Sequence, residues 1–138
     1  MRLRPATMDD AERLFHWRND PITRAASVNR DPVAWPDHLA WLEAGLANPL
    51  REILIAEDGV PIATLRLDRD IRTEVSITLA PAARGHGQAA PLLRLATEGR
   101  GPYVARIRPD NPASRKAFEA AGFHFTHHAD GMDWFLKP

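Results

Sequence analysis

Glu74-Val75-Ser76-Ile77-Thr78-Leu79, followed at once by Arg84-Gly85-His86-Gly87-Gln88-Ala89, is the stretch on which the reading of this chain turns. The first six residues alternate and include three β-branched side chains, so they form a strand. Two glycines then redirect the chain into an apolar run that makes a helix to about Glu98, where Gly99 and Gly101 stop it. Tyr103-Val104-Ala105-Arg106-Ile107 is the next strand. A strand, a crossover helix and a strand predict a parallel pair. Amide N–H groups at a helix start lack partners, and with the helix dipole they attract an anion such as phosphate. Gly85 and Gly87 let the backbone approach that anion without a Cβ in the way, and Arg84 adds a positive charge. The same glycines also suit a plain tight turn. Pro91, about four residues into the helix, either delays its start or loosens its first turn.

A second motif lies downstream, from Asn111-Pro112-Ala113-Ser114-Arg115 through Lys116-Ala117-Phe118-Glu119-Ala120-Ala121 to Gly122-Phe123. Asn111 is a good N-cap, Pro112 a good first helical residue and Gly122 a good closing residue. Residues 123–127 and 132–136 make a last hairpin around Asp130-Gly131. Upstream, residues 2–5 read as a short strand. Thr7 caps a helix with Asp10 as its imperfect capping-box partner, and that helix stops before Pro21. Residues 20–36 hold three prolines and predict a loop. Asp37 to Ala47 is a second helix. Residues 52–56 and 61–67 pair as a hairpin around Asp58-Gly59. The order is β-α-α-β-β-β-α-β-α-β-β: an α/β chain with a mixed sheet flanked by about four helices.

The 138 residues suit one domain spanning 1–138, and 44% hydrophobic residues argue against disorder. Lys+Arg and Asp+Glu each number 18, so no bulk field argues for nucleic acid or an anionic membrane as partner. The absence of cysteine excludes disulfides, thiolate metal sites and cysteine catalysis. No long apolar run spans a bilayer, and Met1-Arg2-Leu3-Arg4-Pro5 lacks a signal-peptide core, so the expected location is the cytoplasm. His124, His127, His128 and Asp130 alternate between strand faces, which argues against a metal. Trp17, Trp35 and Trp41 lie close together, among Arg18, Asn19, Arg24 and His38. Indoles at such positions either anchor a core or stack on a base or sugar, and Arg18 or Arg24 could pair with phosphates.

Together these segments resemble the GNAT superfamily of acetyl-CoA-dependent N-acetyltransferases, and the resemblance covers nearly the whole chain. The family pattern of Arg or Gln, two residues, Gly, one residue, then Gly or Ala is met by Arg84, Gly87 and Ala89. By that resemblance the amides of Gly85, His86, Gly87, Gln88, Ala89 and Ala90 hold the pyrophosphate of acetyl-CoA. The central parallel strand pair is splayed, and Ile77, Thr78 and Leu79 offer their amides to the thioester and pantetheine. A fixed donor to the oxyanion is worth about 10²–10³ in rate. Asn111 bonds the pantetheine arm, and Arg115 reaches the phosphates. Glu74 is the first expected base, with a solvated strand-end carboxylate as its alternative role, and His38 is the second. Family members often carry Tyr as proton donor to the leaving thiolate where this chain has Phe118, which leaves water or Ser114 for that task. The string Trp17-Arg18-Asn19 with Arg24, His38 and Trp41 resembles the subgroup that acetylates nucleotide-linked amino sugars, and also ribosomal-protein and polyamine acetyltransferases. The implied partner is a small-molecule amine, and the chain a monomer or homodimer. A non-catalytic acyl-CoA sensor and a protein acetyltransferase are the alternatives; the latter needs an open, acidic groove.

Overall fold

A computed structural model describes all residues, Met1–Pro138. Seven strands form one sheet in the order β1-β2-β3-β4-β5-β7-β6. They are β1 (Arg2–Pro5), β2 (Arg51–Glu57), β3 (Pro61–Asp68), β4 (Thr73–Leu79), β5 (Tyr103–Ile107), β6 (His124–Ala129) and β7 (Met132–Lys137). Every pairing is antiparallel except β4 with β5. The helices are α1 (Ala11–Asn19), α2 (Pro21–Ala26), α3 (Trp35–Ala47), α4 (Ala89–Ala96) and α5 (Pro112–Ala120). No helix is long and apolar enough to cross a membrane.

The sheet is central because its inner strands are apolar. Ile53 to Ala56 on β2 are all buried, as are Leu65, Leu67 and Val75 beside them. Leu42 of α3 joins this core from one element, Leu92 and Leu93 of α4 and Phe118 of α5 from others. Gly45 lets α3 lie close to β2, since a Cβ there would stand 3.0 Å from Ile53 Cδ1.

The expected loop over 20–36 contains α2, a correction with a local cause. Asp20 accepts from the amides of Ile22 and Thr23, and Pro21 takes the first helical position. Asp-Pro is thus a cap followed by a favoured first residue, not only a breaker. α3 begins at Trp35, two residues earlier than expected, with Pro36 accommodated in its first turn though Ala34 supplies no side-chain cap. The Thr7 cap is a complete capping box. Thr7 N donates to Asp10 Oδ2 at 2.9 Å, and Asp9 N donates to Thr7 Oγ1 at 3.2 Å. It opens a single 3-10 turn, Met8–Asp10, that leads into α1.

Pro91 costs α4 nothing. The helix starts at Ala89, and its first backbone bond runs from Leu92 N to Gln88 O at 3.2 Å. Pro91 therefore occupies a position whose N–H has no intrahelical partner in any helix.

Candidate active site

Strands β4 and β5 touch only at their beginnings. Thr73 pairs with Tyr103 and Glu74 with Val104, and no later residues pair. Beyond that point the two strands separate. Val75, Ser76, Ile77, Thr78 and Leu79 then all line one cleft of about 610 Å³. Successive side chains on a strand point to opposite faces, so five in a row can border one space only where the strand's own edge is open.

The direction of the amides follows from the two ends of β4. Thr73 N donates towards β5, to Pro102 O at 3.1 Å, and Ala80 N donates towards β3, to Ile62 O at 2.8 Å. With a period of two and no register shift against β3, odd-numbered amides face β5. Ile77 and Leu79 therefore aim their N–H groups into the gap. Thr78 is a correction: its amide faces β3, and only its side chain reaches the cleft. Two half-buried donors without strand partners are free to bind whatever fills the gap.

The turn after β4 ends one side of this gap. Gly85 has φ 78° and Gly87 φ 68°, both left-handed, and neither has any atom within 4 Å of where a Cβ would sit. Both therefore face open space at the start of α4, where the amides of Ala89 and Ala90 are unpaired by the helix. Gly85 and Ala89 line the cleft. The far wall is α5, through Ala113, Ser114, Ala117 and Phe118. Asn111 caps it by accepting from Ser114 N at 3.2 Å and lies on the same wall. The roof is α2 and the segment after it, tied down by Arg108, which donates to Val28 O at 2.7 Å. Arg84 is part of that tie. Its Nη2 donates to Asp20 and, at 2.8 Å, to Thr23 Oγ1, clamping the glycine turn to α2. That contact holds the Asp20 carboxyl below the usual carboxylate range.

A family model described as the acetyltransferase (GNAT) domain matches residues 1–124. The chain belongs to the GNAT acetyltransferase family. As such it is an acetyl-CoA-dependent acetyltransferase. Solved structures share its fold. Spermidine N-acetyltransferase from Vibrio cholerae, in complex with CoA and spermine, superposes with a TM-score of 0.85 at 17% identity, covering 98% of this chain and 92% of that one. Aminoglycoside acetyltransferase AAC(6')-Ib, in complex with coenzyme A and kanamycin, gives 0.80 at 18% identity over 98% and 92%. A domain from Methanocaldococcus jannaschii gives 0.77 at 23% identity over 98% and 95%. No curated protein sequence matches the chain.

The other half of this GNAT cleft lies between α1, α3 and the polar face of β3 and β4. Trp17, Arg18, His38 and Trp41 all line it. His38 is fully buried, and its Nε2 donates to Ala11 O at 2.8 Å. That bond fixes the tautomer with the lone pair on Nδ1, which has no partner. Burial, partly opposed by the Ala11 bond and reinforced by Arg18, lowers the His38 pKa. The ring is therefore neutral at neutral pH.

Other expected residues are elsewhere. Glu74 does not line the cleft; its Oε2 accepts from Arg106 Nε at 2.6 Å. Asn19 is a brace, donating to Val33 O and accepting from Val33 N, each at 2.8 Å. Arg24 donates to Asn19 O at 3.1 Å, back along its own turn. Arg115 is turned away from the cleft, beside Glu119 and over the rings of Phe125 and Phe135. The reason is helical phase: residues 113, 114, 117 and 118 share a face, and 115 is off it. His86, Gly87, Gln88 and Ala90 flank the start of α4 without bordering the cleft. Tyr103 sits where β4 and β5 still pair, and the cleft wall at α5 is the hydroxyl-free ring of Phe118. His127 stacks on Trp134, and His128 Nδ1 is 2.8 Å from Asp133.

Sequence reading missed Thr64, Arg66, Ser76 and Arg106, which line the acceptor half. A signal was present. On β3, Thr64, Arg66 and Asp68 alternate with buried Ala63, Leu65 and Leu67. A polar face on a strand in the middle of a sheet marks a cavity or solvent.

Proposed function

We propose that this chain moves acetyl from acetyl-CoA to a primary amine of a small acceptor, a nucleotide-linked amino sugar being one form, by direct attack with both substrates bound. The observation that carries this reading is the two-residue pairing of β4 with β5, which leaves the Ile77 and Leu79 amides facing a gap bordered by the Gly85 turn. Bound acetyl-CoA supplies the acetyl group. The glycine-turn and α4 amides attract its phosphates, the β4 amides orient the thioester, and the roof over α2 excludes water.

The amine must lose a proton. Of the two expected acceptors, His38 borders the cleft and its buried Nδ1 lone pair has no partner, whereas Glu74 is held by Arg106. The role therefore goes to His38, and Glu74 orients Arg106. His38→Gln is expected to lower kcat about 10²-fold with acetyl-CoA affinity retained. Glu74→Gln is expected to change kcat less than about threefold, which is a tenth or less of a general base's usual contribution. The reverse order in steady-state kinetics would return the base to Glu74. Ser114, on the same α5 wall as Phe118, is the hydroxyl we assign to serve the departing thiolate in place of the missing tyrosine.

The decisive experiment titrates acetyl-CoA by calorimetry and then follows thiol release with an amine panel. Uptake without thiol release would favour the non-catalytic sensor, the reading that Phe118 supports. No uptake would end both. The protein-acetyltransferase reading loses ground, because the cleft is roofed and lined by arginines rather than by carboxylates.

A further inference from the structure

The charges around the acceptor half do not balance. Four arginines line the cleft, Arg18, Arg66, Arg84 and Arg106, against one carboxylate, Asp31 at its rim. Three of the four have counter-ions. Arg66 Nε is 3.0 Å from Asp68, Arg84 pairs with Asp20 and Arg106 with Glu74. Asp68 is itself shared, since Arg51 Nε also reaches it at 2.6 Å. Arg18 has no counter-ion. Its Nη1 is buried and without any hydrogen-bond partner.

Arg18 is nonetheless held in place. Its guanidinium carbon lies 4.6 Å from the Trp41 ring centroid, with Arg51 and Arg66 each 5.9 Å from the same ring. Three guanidiniums thus surround one indole with a single carboxylate among them. Burial, then Arg66, lowers the Arg18 pKa, both being marks of a cation lacking an anion. An indole face steadies a cation but leaves its N–H edge unsatisfied. A half-buried guanidinium with a buried, unpaired Nη1 is costly, and a bound carboxylate or phosphate relieves that cost through paired hydrogen bonds.

We infer that the acceptor amine carries an anionic group, a carboxylate or a phosphate, that Arg18 seats against Trp41. The site then rejects polyamines, whose further ammonium groups would meet the unpaired Arg18. This distinguishes the chain from fold relatives crystallised with spermine or kanamycin. The inference rests on the acetyltransferase reading for its substrate, but the anion pocket itself does not depend on turnover.

The test compares wild type with Arg18→Met on spermidine, benzylamine, L-glutamate, glucosamine 6-phosphate and a UDP-linked amino sugar. Acetyl-CoA affinity serves as the control for folding. The expected result is a preference of about 10²-fold in kcat/KM for anionic over other amines. Arg18→Met should lose that preference, kcat/KM for the anionic amines falling about 10²-fold further than kcat/KM for benzylamine. The preferred arm distinguishes carboxylate from phosphate. Spermidine turned over as well as the anionic amines, or a preference unchanged by Arg18→Met, would overturn the inference. Should no amine react, melting decides. Inorganic phosphate or succinate, added to CoA-saturated protein (or to free protein if CoA is not taken up), should raise the wild-type melting temperature by about 3 °C or more. Equal shifts in wild type and Arg18→Met would sink the pocket even if the enzyme reading survived.

Discussion

Gly85→Val should abolish acetyl-CoA binding, lowering affinity at least about 10²-fold, while leaving most of the fold intact. The argument has two parts. At φ 78° the backbone is left-handed, which costs a side chain roughly 1–2 kcal/mol and a β-branched one more. That cost is affordable for a folded domain and would appear as a modest drop in melting temperature. The larger effect is steric and local to the ligand. A Cβ at Gly85 meets no protein atom within 4 Å, so it would project into the open mouth of the cleft, where the phosphates are expected. Gly85→Ala should give an intermediate loss. Calorimetric titration with acetyl-CoA is the measurement, with far-UV circular dichroism as the folding control. Wild-type affinity in the valine variant would mean that the turn does not carry the phosphates.

Asp10→Ala should be the most destabilising single polar substitution, by about 3 kcal/mol, or about 10 °C in melting temperature. Asp10 is 1% exposed and gathers four donors. Arg4 binds it through two nitrogens at 2.8 Å each, Arg13 Nη1 joins at Oδ1, and Thr7 N closes the capping box. Removing the carboxylate strands Arg13, leaves Arg4 with Glu57 alone, and breaks the capping box of the 3-10 turn that leads into α1. The same contacts, the Arg4 hydrogen bond above all, lower the Asp10 pKa from 3.8 to about 2. A carboxyl more acidic in the folded than in the unfolded chain stabilises fully at pH above its unfolded value. About 2–3 kcal/mol from this group is therefore present above pH ~5 and fades as pH falls towards 2. Asp10→Asn should flatten that part of the stability–pH profile. An unchanged profile between pH 5 and 2 would show that the ion cluster contributes nothing.

The donor half of the site was legible in the sequence because its cues are local. A cap, a glycine and a following proline act over a few residues, so Asn111-Pro112 and Gly85-x-Gly87 announce their helix starts without reference to the rest of the chain. Asp20-Pro21 carried the same message and was read instead as part of a loop, because prolines at 21, 32 and 36 looked like breakers. The acceptor half was only half legible. Trp17, Arg18, His38 and Trp41 cluster in sequence and again at the cleft. Asn19 and Arg24, drawn into the same cluster by proximity, turned out to brace the backbone. Arg66 and Arg106 come from strands far along the chain and meet the cluster only across the sheet.

Apart from α2, sequence alone determined the elements, their order and the parallel β4–β5 unit, because hydrophobic period and capping are properties of neighbouring residues. It also supplied the glycine turn and the capped α5. Only the tertiary structure decided which polar groups stay free. Glu74 and Arg84 were spent on Arg106 and Asp20, partners 32 and 64 positions distant. The Thr78 amide was aimed at β3 by the phase of the strand, and Arg18 was left half-buried beside Trp41 without an anion. Satisfaction of a charge or an amide is a non-local quantity: it depends on which groups the sheet brings within about 3 Å, and the linear order of residues does not contain that distance.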